Sequence, residues 1–209
     1  MKHRVTLIFF VIISLIFISC PLQSPQAIPE GFHFDEAKFQ EAKQKWQNAT
    51  LENYEFKYEI WLGGYENPPF DYTVQGKTTV TGGVSYEDEF LLDMYKYEDG
   101  YSSGGVHLGT AFNKLLKEVE ETYHVTSVSF MTIDDAYRFI EERVELAKNL
   151  YDNGKCSYYE AKIDYDDYYS DYGVIYKFSD SYIFKGKKKI DGQTRVRFLI
   201  KWFTISNTP

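Results

Sequence analysis

Between Tyr54 and Leu62, large apolar residues fall at every second position: Tyr54, Phe56, Tyr58, Ile60 and Leu62 alternate with Glu55, Lys57, Glu59 and Trp61. A repeat of two puts one set of side chains on one face of an extended chain, so this segment predicts a strand with one buried side. Gly63-Gly64 and Pro68-Pro69 end it. Phe70, Tyr72 and Val74 open a second strand, expected to be its hairpin partner, with Gly76 as a bulge or bend and Gly82-Gly83 as its end. Residues 84–109 mix strand and loop signals and read as a hairpin or a surface excursion. Residues 124–130, HVTSVSF, read as a short strand. Near the C-terminus three or four further strands are expected, from SYYEAKIDYD, GVIYKFS, SYIFKG and TRVRFLIKWFTIS, with Asp191-Gly192 as a hairpin turn before the last. That last strand is apolar on both faces, Val196, Phe198, Ile200 and Trp202 on one and Leu199, Phe203 and Ile205 on the other, which suits a central or covered strand.

Three segments repeat with helical spacing instead. Phe39, Ala42 and Trp46 share one face after Asp35, a capping residue, and predict a helix over 35–48. Phe112, Leu115, Leu116, Val119 and Tyr123 predict a second from Thr110. Ile133, Ala136, Tyr137, Ile140, Val144 and Ala147 form the stripe of a third, capped by Thr132 and closed at Asn153-Gly154. Helices and strands in this order predict an α+β domain: an antiparallel sheet with two to three helices packed on one face. The domain is expected over 34–209, with 85–130 a candidate insertion.

The first twenty residues follow a different logic. Lys2, His3 and Arg4 precede the apolar run Val5–Ile18. Fourteen residues at ~1.5 Å rise span roughly 21 Å, short of a ~30 Å hydrocarbon core. Length and flanks predict a secretory signal over 1–19 in place of a membrane-spanning helix. The run ends Phe17-Ile18-Ser19-Cys20, which resembles the lipobox of bacterial lipoproteins. Ser19 and Ile18 match that pattern, and Phe17 stands where Leu is usual. The resemblance implies cleavage before Cys20, acylation of its thiol, and anchoring by two or three chains at ~0.8 kcal/mol per buried methylene. Pro21 stands where an inner-membrane retention signal has Asp, which favours onward sorting to an outer membrane. The stretch 20–33, with three Pro and a Gly after Cys20, is expected to be a flexible tether.

Composition narrows the class further. Nineteen Tyr and sixteen Phe suit pleated, half-buried surfaces. Removing Lys2 and Arg4 leaves 21 basic residues against 31 acidic ones, a net charge of −10. Phosphate binding needs a basic footprint, so nucleic acid is not expected as a partner. With Cys20 acylated, Cys156 has no intramolecular partner, which excludes a disulfide scaffold and a thiolate metal cluster.

Candidate chemistry is sparse. His33, His107, His124 and Cys156 are scattered and form no metal-ligand spacing, and no cofactor motif occurs. Asp164, Asp166, Asp167 and Asp171 form an acidic run between strands that lacks the order of a calcium loop; it reads as a solvated edge, or as the place where a cation would bind. Lys185, Lys187, Lys188, Lys189, Arg195, Arg197 and Lys201 make a basic patch that could rest on anionic headgroups, on the acidic run, or in solvent. Tyr158, Tyr159, Tyr168, Tyr169 and Tyr172 could form a binding face or cross-strand pairs. Cys156 follows a helix C-terminus, whose partial negative charge disfavours a thiolate, and is expected to be inert.

Several short motifs resemble a family of small bacterial lipoprotein domains of unknown function: Trp46 on the first helix; Asn53, Tyr54, Phe56 and Tyr58; Thr132, Ile133, Asp134 and Tyr137; Tyr165, Asp166, Tyr172 and Gly173. The likeness runs over about 37–205. A Cys-x-Cys common in that family is replaced around Trp61-Leu62-Gly63, and Val174-Ile175 stand where it has Pro. The resemblance implies fold and address but no reaction. The sequence therefore predicts an extracytoplasmic lipoprotein, anchored in the cell membrane or outer membrane, that binds an envelope protein or ligand. The alternatives are an envelope hydrolase using carboxylates of 164–171 and a purely structural lipoprotein.

Overall fold

The computed structural model describes residues 30–64, 70–98, 101–106, 110–165, 169–186 and 193–206. Eight strands form one sheet: β1 (Gly31–His33), β2 (Tyr54–Gly64), β3 (Phe70–Thr81), β4 (Val84–Glu98), β5 (Tyr101–Val106), β6 (Cys156–Tyr165), β7 (Ile175–Phe184) and β8 (Gln193–Ile205). Their order across the sheet is β1-β6-β7-β8-β2-β3-β4-β5. All neighbours run antiparallel except β1, which lies parallel to β6. Three helices, α1 (Glu36–Ala49), α2 (Thr110–Tyr123) and α3 (Ile133–Asp152), cover one face. Ring contacts tie each helix to that face: Trp46 to Tyr54 and Phe203, Tyr123 to Tyr72, and Phe139 to Phe178 and Phe198. The architecture is the expected α+β sheet with helices on one side.

The alternating residues of β2 are the centre of the core. Tyr54, Phe56, Tyr58, Ile60 and Leu62 are all at most 3 % exposed. Burying a side chain of this size is worth about 1.5–3 kcal/mol, so this one strand is a principal source of stability. Tyr58 crosses to β3 over Gly76, where a Cβ would fall 2.2 Å from its ring. A side chain at position 76 would displace that ring, which is why glycine stands inside a strand there.

The helix ends follow their sequence signals. Asp35 accepts a hydrogen bond from the Lys38 N–H and starts α1. Thr132 and Asp135 form a reciprocal capping box at the start of α3. Gly154, with φ +66°, closes α3. Gly82 and Gly83, at φ +57° and +75°, make the two-residue turn between β3 and β4, where positive φ matches the twist of the strands.

Four expectations need correction. The tether ends earlier than expected, because Gly31–His33 join the sheet as β1. Residues 124–130 are not a strand: Val128 and Phe130 are buried, but side chains satisfy the backbone. Tyr58 Oη accepts from the Phe130 N–H at 2.9 Å, Thr78 Oγ1 donates to the Phe130 carbonyl at 2.8 Å, and Glu142 accepts from the Thr126 N–H at 2.7 Å. The segments GVIYKFS and SYIFKG are one strand, β7, since Asp180 between them is buried and paired. Trp202 lies on the open face of the sheet, 43 % exposed, and Phe203 is inside. A bulge at Lys201 causes this, with Lys57 facing Trp202 and Tyr58 facing Ile200 across the register. Of the two readings of 84–109, the hairpin holds: β4 and β5 pair within the same sheet, and Leu92 of β4 is fully buried. The expected turn at Asp191-Gly192 lies outside the described residues.

Candidate functional site

Two regions of the described surface carry the chemistry that a site would need. The first is a groove of about 530 Å³ where α1 crosses the C-terminal end of β6. Lys38, Glu41, Ala42 and Lys45 of α1 line one side, and Ile163, Asp164, Tyr165 and Ser170 the other. The Lys38 ammonium sits 5.1 Å from the Tyr165 ring centroid, within cation–π range. Burial, with Asp35 and Glu41 nearby, raises the Tyr165 hydroxyl well above its ordinary value, so it stays a neutral donor. The groove's other charges are matched in pairs: Glu41 lies 3.0 Å from Lys45, and Asp164 lies 3.6 Å from Lys177. Gly173 follows the 3-10 turn Ser170–Tyr172 beside the groove; its φ is +74°, and a Cβ there would meet the Ala42 carbonyl at 2.1 Å. That close approach seats the turn against α1.

The second region is the face of the sheet that the helices leave open. Tyr176, Trp202 and Leu91 are 45 %, 43 % and 44 % exposed. Around them runs a ladder of cross-strand polar pairs. Glu59 accepts from Lys201 at 2.5 Å and from Gln75 at 3.0 Å, and Lys77 lies 3.3 Å from Asp88. Exposed pairs of this kind contribute about 0–1 kcal/mol each, so they keep the face soluble more than they stabilise it. A dimple of about 140 Å³ opens here between Lys57, Gln75, Glu89, Leu91 and Lys201.

The acidic run is only partly within the described residues. Asp164 belongs to the groove, Asp171 is exposed on the 3-10 turn, and Asp166 and Asp167 lie outside. Among the described residues no cluster of three or more His, Cys, Asp or Glu could hold a metal ion. The basic patch divides. Lys185 is exposed beyond the end of β7. Arg195 and Arg197 take positions in β8 opposite Gly63 and Trp61, and Lys187, Lys188 and Lys189 lie outside the described residues. Arg197 and Lys201 thus share a face with Glu59 and Asp88. The tyrosine face is not one surface: Tyr159 is fully buried, Tyr169 packs on Phe203 at 4.9 Å and on Tyr172, and Tyr168 lies outside the described residues. Cys156 is 3 % exposed, its Sγ donates to the Tyr158 carbonyl at 2.8 Å, and burial raises its thiol pKa. Cys20 and the segment before it lie outside the described residues. No described helix is long and apolar enough to cross a membrane.

One functional group went unread in the sequence. Arg143 is fully buried inside the stripe of α3, and its Nε donates to Asp180 of β7 at 2.9 Å. Its Nη1 donates to the Tyr123 carbonyl at 2.8 Å, and the second Asp180 oxygen accepts from the Val196 N–H at 3.1 Å. One ion pair therefore joins α2, α3, β7 and β8. Burial raises the Asp180 carboxyl against the opposing pull of Arg143, and the Asp180 charge keeps the guanidinium ionised. The signal was present: Asp180 shares the inward parity of Phe178 and Tyr182, and Arg143 falls in the apolar stripe between Ile140 and Ala147. A carboxyl serves as an acid only if raised; Glu120, like Asp180, is raised by burial, but neither lines the groove.

Fold and surface define an α+β domain with an eight-stranded sheet, helices on one face and an open face rich in aromatics and ion pairs. No family model matches the chain, and no curated protein or solved structure matches it.

Proposed function

We propose that the chain is a lipid-anchored lipoprotein of the cell envelope whose α+β domain binds an envelope protein or ligand. The observation that carries this reading is the segment Lys2–Cys20: a basic start, a fourteen-residue, mostly apolar run too short to span a bilayer, and a cysteine in lipobox context. The open sheet face supports the binding part. It displays Tyr176, Trp202 and Leu91 without a covering helix, and aromatic residues are enriched where proteins meet. The domain is likened to small lipoprotein domains by its aromatic motifs, which assign no reaction. The groove argues against hydrolysis by paired carboxylates, because Glu41 and Asp164 each face a lysine there and the raised carboxyls lie elsewhere.

The test is Cys20→Ser in the native host. The parent should fractionate with membranes and incorporate labelled palmitate, and the variant should do neither. A variant that stays in membranes as firmly as the parent overturns the anchor. For the binding part, photo-crosslinkers placed at positions 176 and 202 should trap a discrete adduct in cells, and a crosslinker at Lys117 on α2 should not. Equal trapping at all three positions contradicts a specific face.

A further inference from the structure

We infer that the end of the domain carrying Lys155 and Lys185 faces the bilayer and rests on anionic lipid headgroups. This rests on the lipid-anchor reading and adds an orientation to it. The first observation is where the tether meets the fold. β1 is not a loose leader: Gly31, Phe32 and His33 pair with Tyr158, Tyr159 and Glu160, and the Phe32 ring stacks on Tyr159 at 4.8 Å and contacts Tyr151 at 5.8 Å. Because β1 runs parallel to β6, the chain before Gly31 approaches from the end where β6 begins, at Cys156. Glu30 lies ten residue steps after Cys20, and at ~3.6 Å each these reach at most about 36 Å. A short leash fixed to one pole holds that pole towards its anchor.

The second observation is the charge at that pole. The Lys185 N–H donates to the Lys155 carbonyl at 2.9 Å, which joins the α3–β6 turn to the end of β7 beside the point of entry. Both residues are exposed, and neither has an ion pair among the described residues; Asp152, the nearest acid in sequence to Lys155, is held by Lys148 at 2.9 Å, which leaves Glu30 as the exposed acid at the point of entry. Some lysines of the open face and of the groove are matched with carboxylates, as at Lys201–Glu59, Lys77–Asp88 and Lys45–Glu41, and Lys38 lies over the Tyr165 ring. Unmatched cations beside a lipid leash complement a negative membrane surface, whose field acts within a Debye length of the headgroups. The α1 groove sits at the other end of β6. Ten residues at ~3.3 Å per residue put it about 30 Å from the membrane pole, where a partner can reach it.

The test uses the full chain purified from membranes and placed in vesicles of phosphatidylcholine alone or with phosphatidylglycerol. A membrane-impermeant amine reagent labels exposed lysines, and peptide mass spectrometry reads each site. In the anionic vesicles Lys155 and Lys185 should label about threefold less than in the neutral ones, high salt should restore them, and Lys45 should not change. Equal labelling of Lys155 and Lys185 in both vesicles, or equal protection at Lys45, overturns the orientation. The intact mass of the same sample reports acylation of Cys20. An unacylated but vesicle-bound chain would thus sink the anchor reading while the lysine pattern still decides the orientation.

Discussion

Arg143→Met is the most informative single perturbation of the fold. It removes a buried guanidinium and leaves Asp180, itself 3 % exposed, with only the Val196 N–H. Breaking a buried pair by deleting one partner costs about 3–5 kcal/mol, because the remaining charge is stranded in a medium of low polarisability. The Tyr123 carbonyl also loses its donor. The double variant Arg143→Met/Asp180→Asn keeps an oxygen for the Val196 N–H but holds no charge, so it should recover about 2 kcal/mol or more of that loss. The pH dependence is a second signature. Without its cation, Asp180 has a folded pKa above the ordinary value of 3.8. As pH rises past 3.8 the unfolded chain ionises first, so the folded state holds more protons and stability falls with rising pH, at up to about 1.4 kcal/mol per pH unit. The deficit of Arg143→Met relative to the parent should therefore shrink between pH 7 and pH 5, and the double variant should show no such trend. Urea unfolding followed by far-ultraviolet circular dichroism gives all three stabilities at both pH values. A loss under about 1 kcal/mol for the single variant, or a deficit equal at both pH values, refutes the reasoning.

Gly173→Ala should cost about 2 kcal/mol or more in the same urea assay, since φ is +74° and the new Cβ would collide with the Ala42 carbonyl; a cost below about 0.5 kcal/mol contradicts the seating of the 3-10 turn on α1. Alkaline conditions should unfold the protein abruptly. Burial pushes the Tyr54 hydroxyl up to about 12 and raises Tyr58, Tyr137 and Tyr159 as well. Stability from these four neutral hydroxyls is complete below the ordinary value of 10.0 and is lost above it at about 5 kcal/mol per pH unit. Tyrosinate absorbance and circular dichroism should change together above pH 10, and tyrosinate forming without unfolding would contradict that burial.

The strict alternation from Tyr54 to Leu62 and the stripe of α3 were legible because each states its own period and carries its own stop signals. The bulge at Lys201 was not, because a single extra residue reverses the facing of everything after it and leaves no mark on composition; Trp202 and Phe203 exchanged sides as a result. Asp180 read as a break because a charge in a strand is normally solvated, and its partner lies 37 positions away in α3. Residues 124–130 read as a strand for a related reason. Val128 and Phe130 are buried with the right spacing, but Tyr58 and Thr78 supply the hydrogen bonds that a neighbouring strand would have given. Of the candidate sites, the acidic run pointed at the groove through Asp164 alone, since Lys38 and Tyr165 meet only once β6 and α1 cross.

The anchor is the claim on which the functional account turns, and the intact mass of the protein isolated from its own membranes addresses it in one spectrum. The account predicts a chain beginning at Cys20, heavier than residues 20–209 by a diacylglyceryl group with or without a further acyl chain. A mass matching the full chain from Met1, or an unmodified chain cut elsewhere, would contradict it.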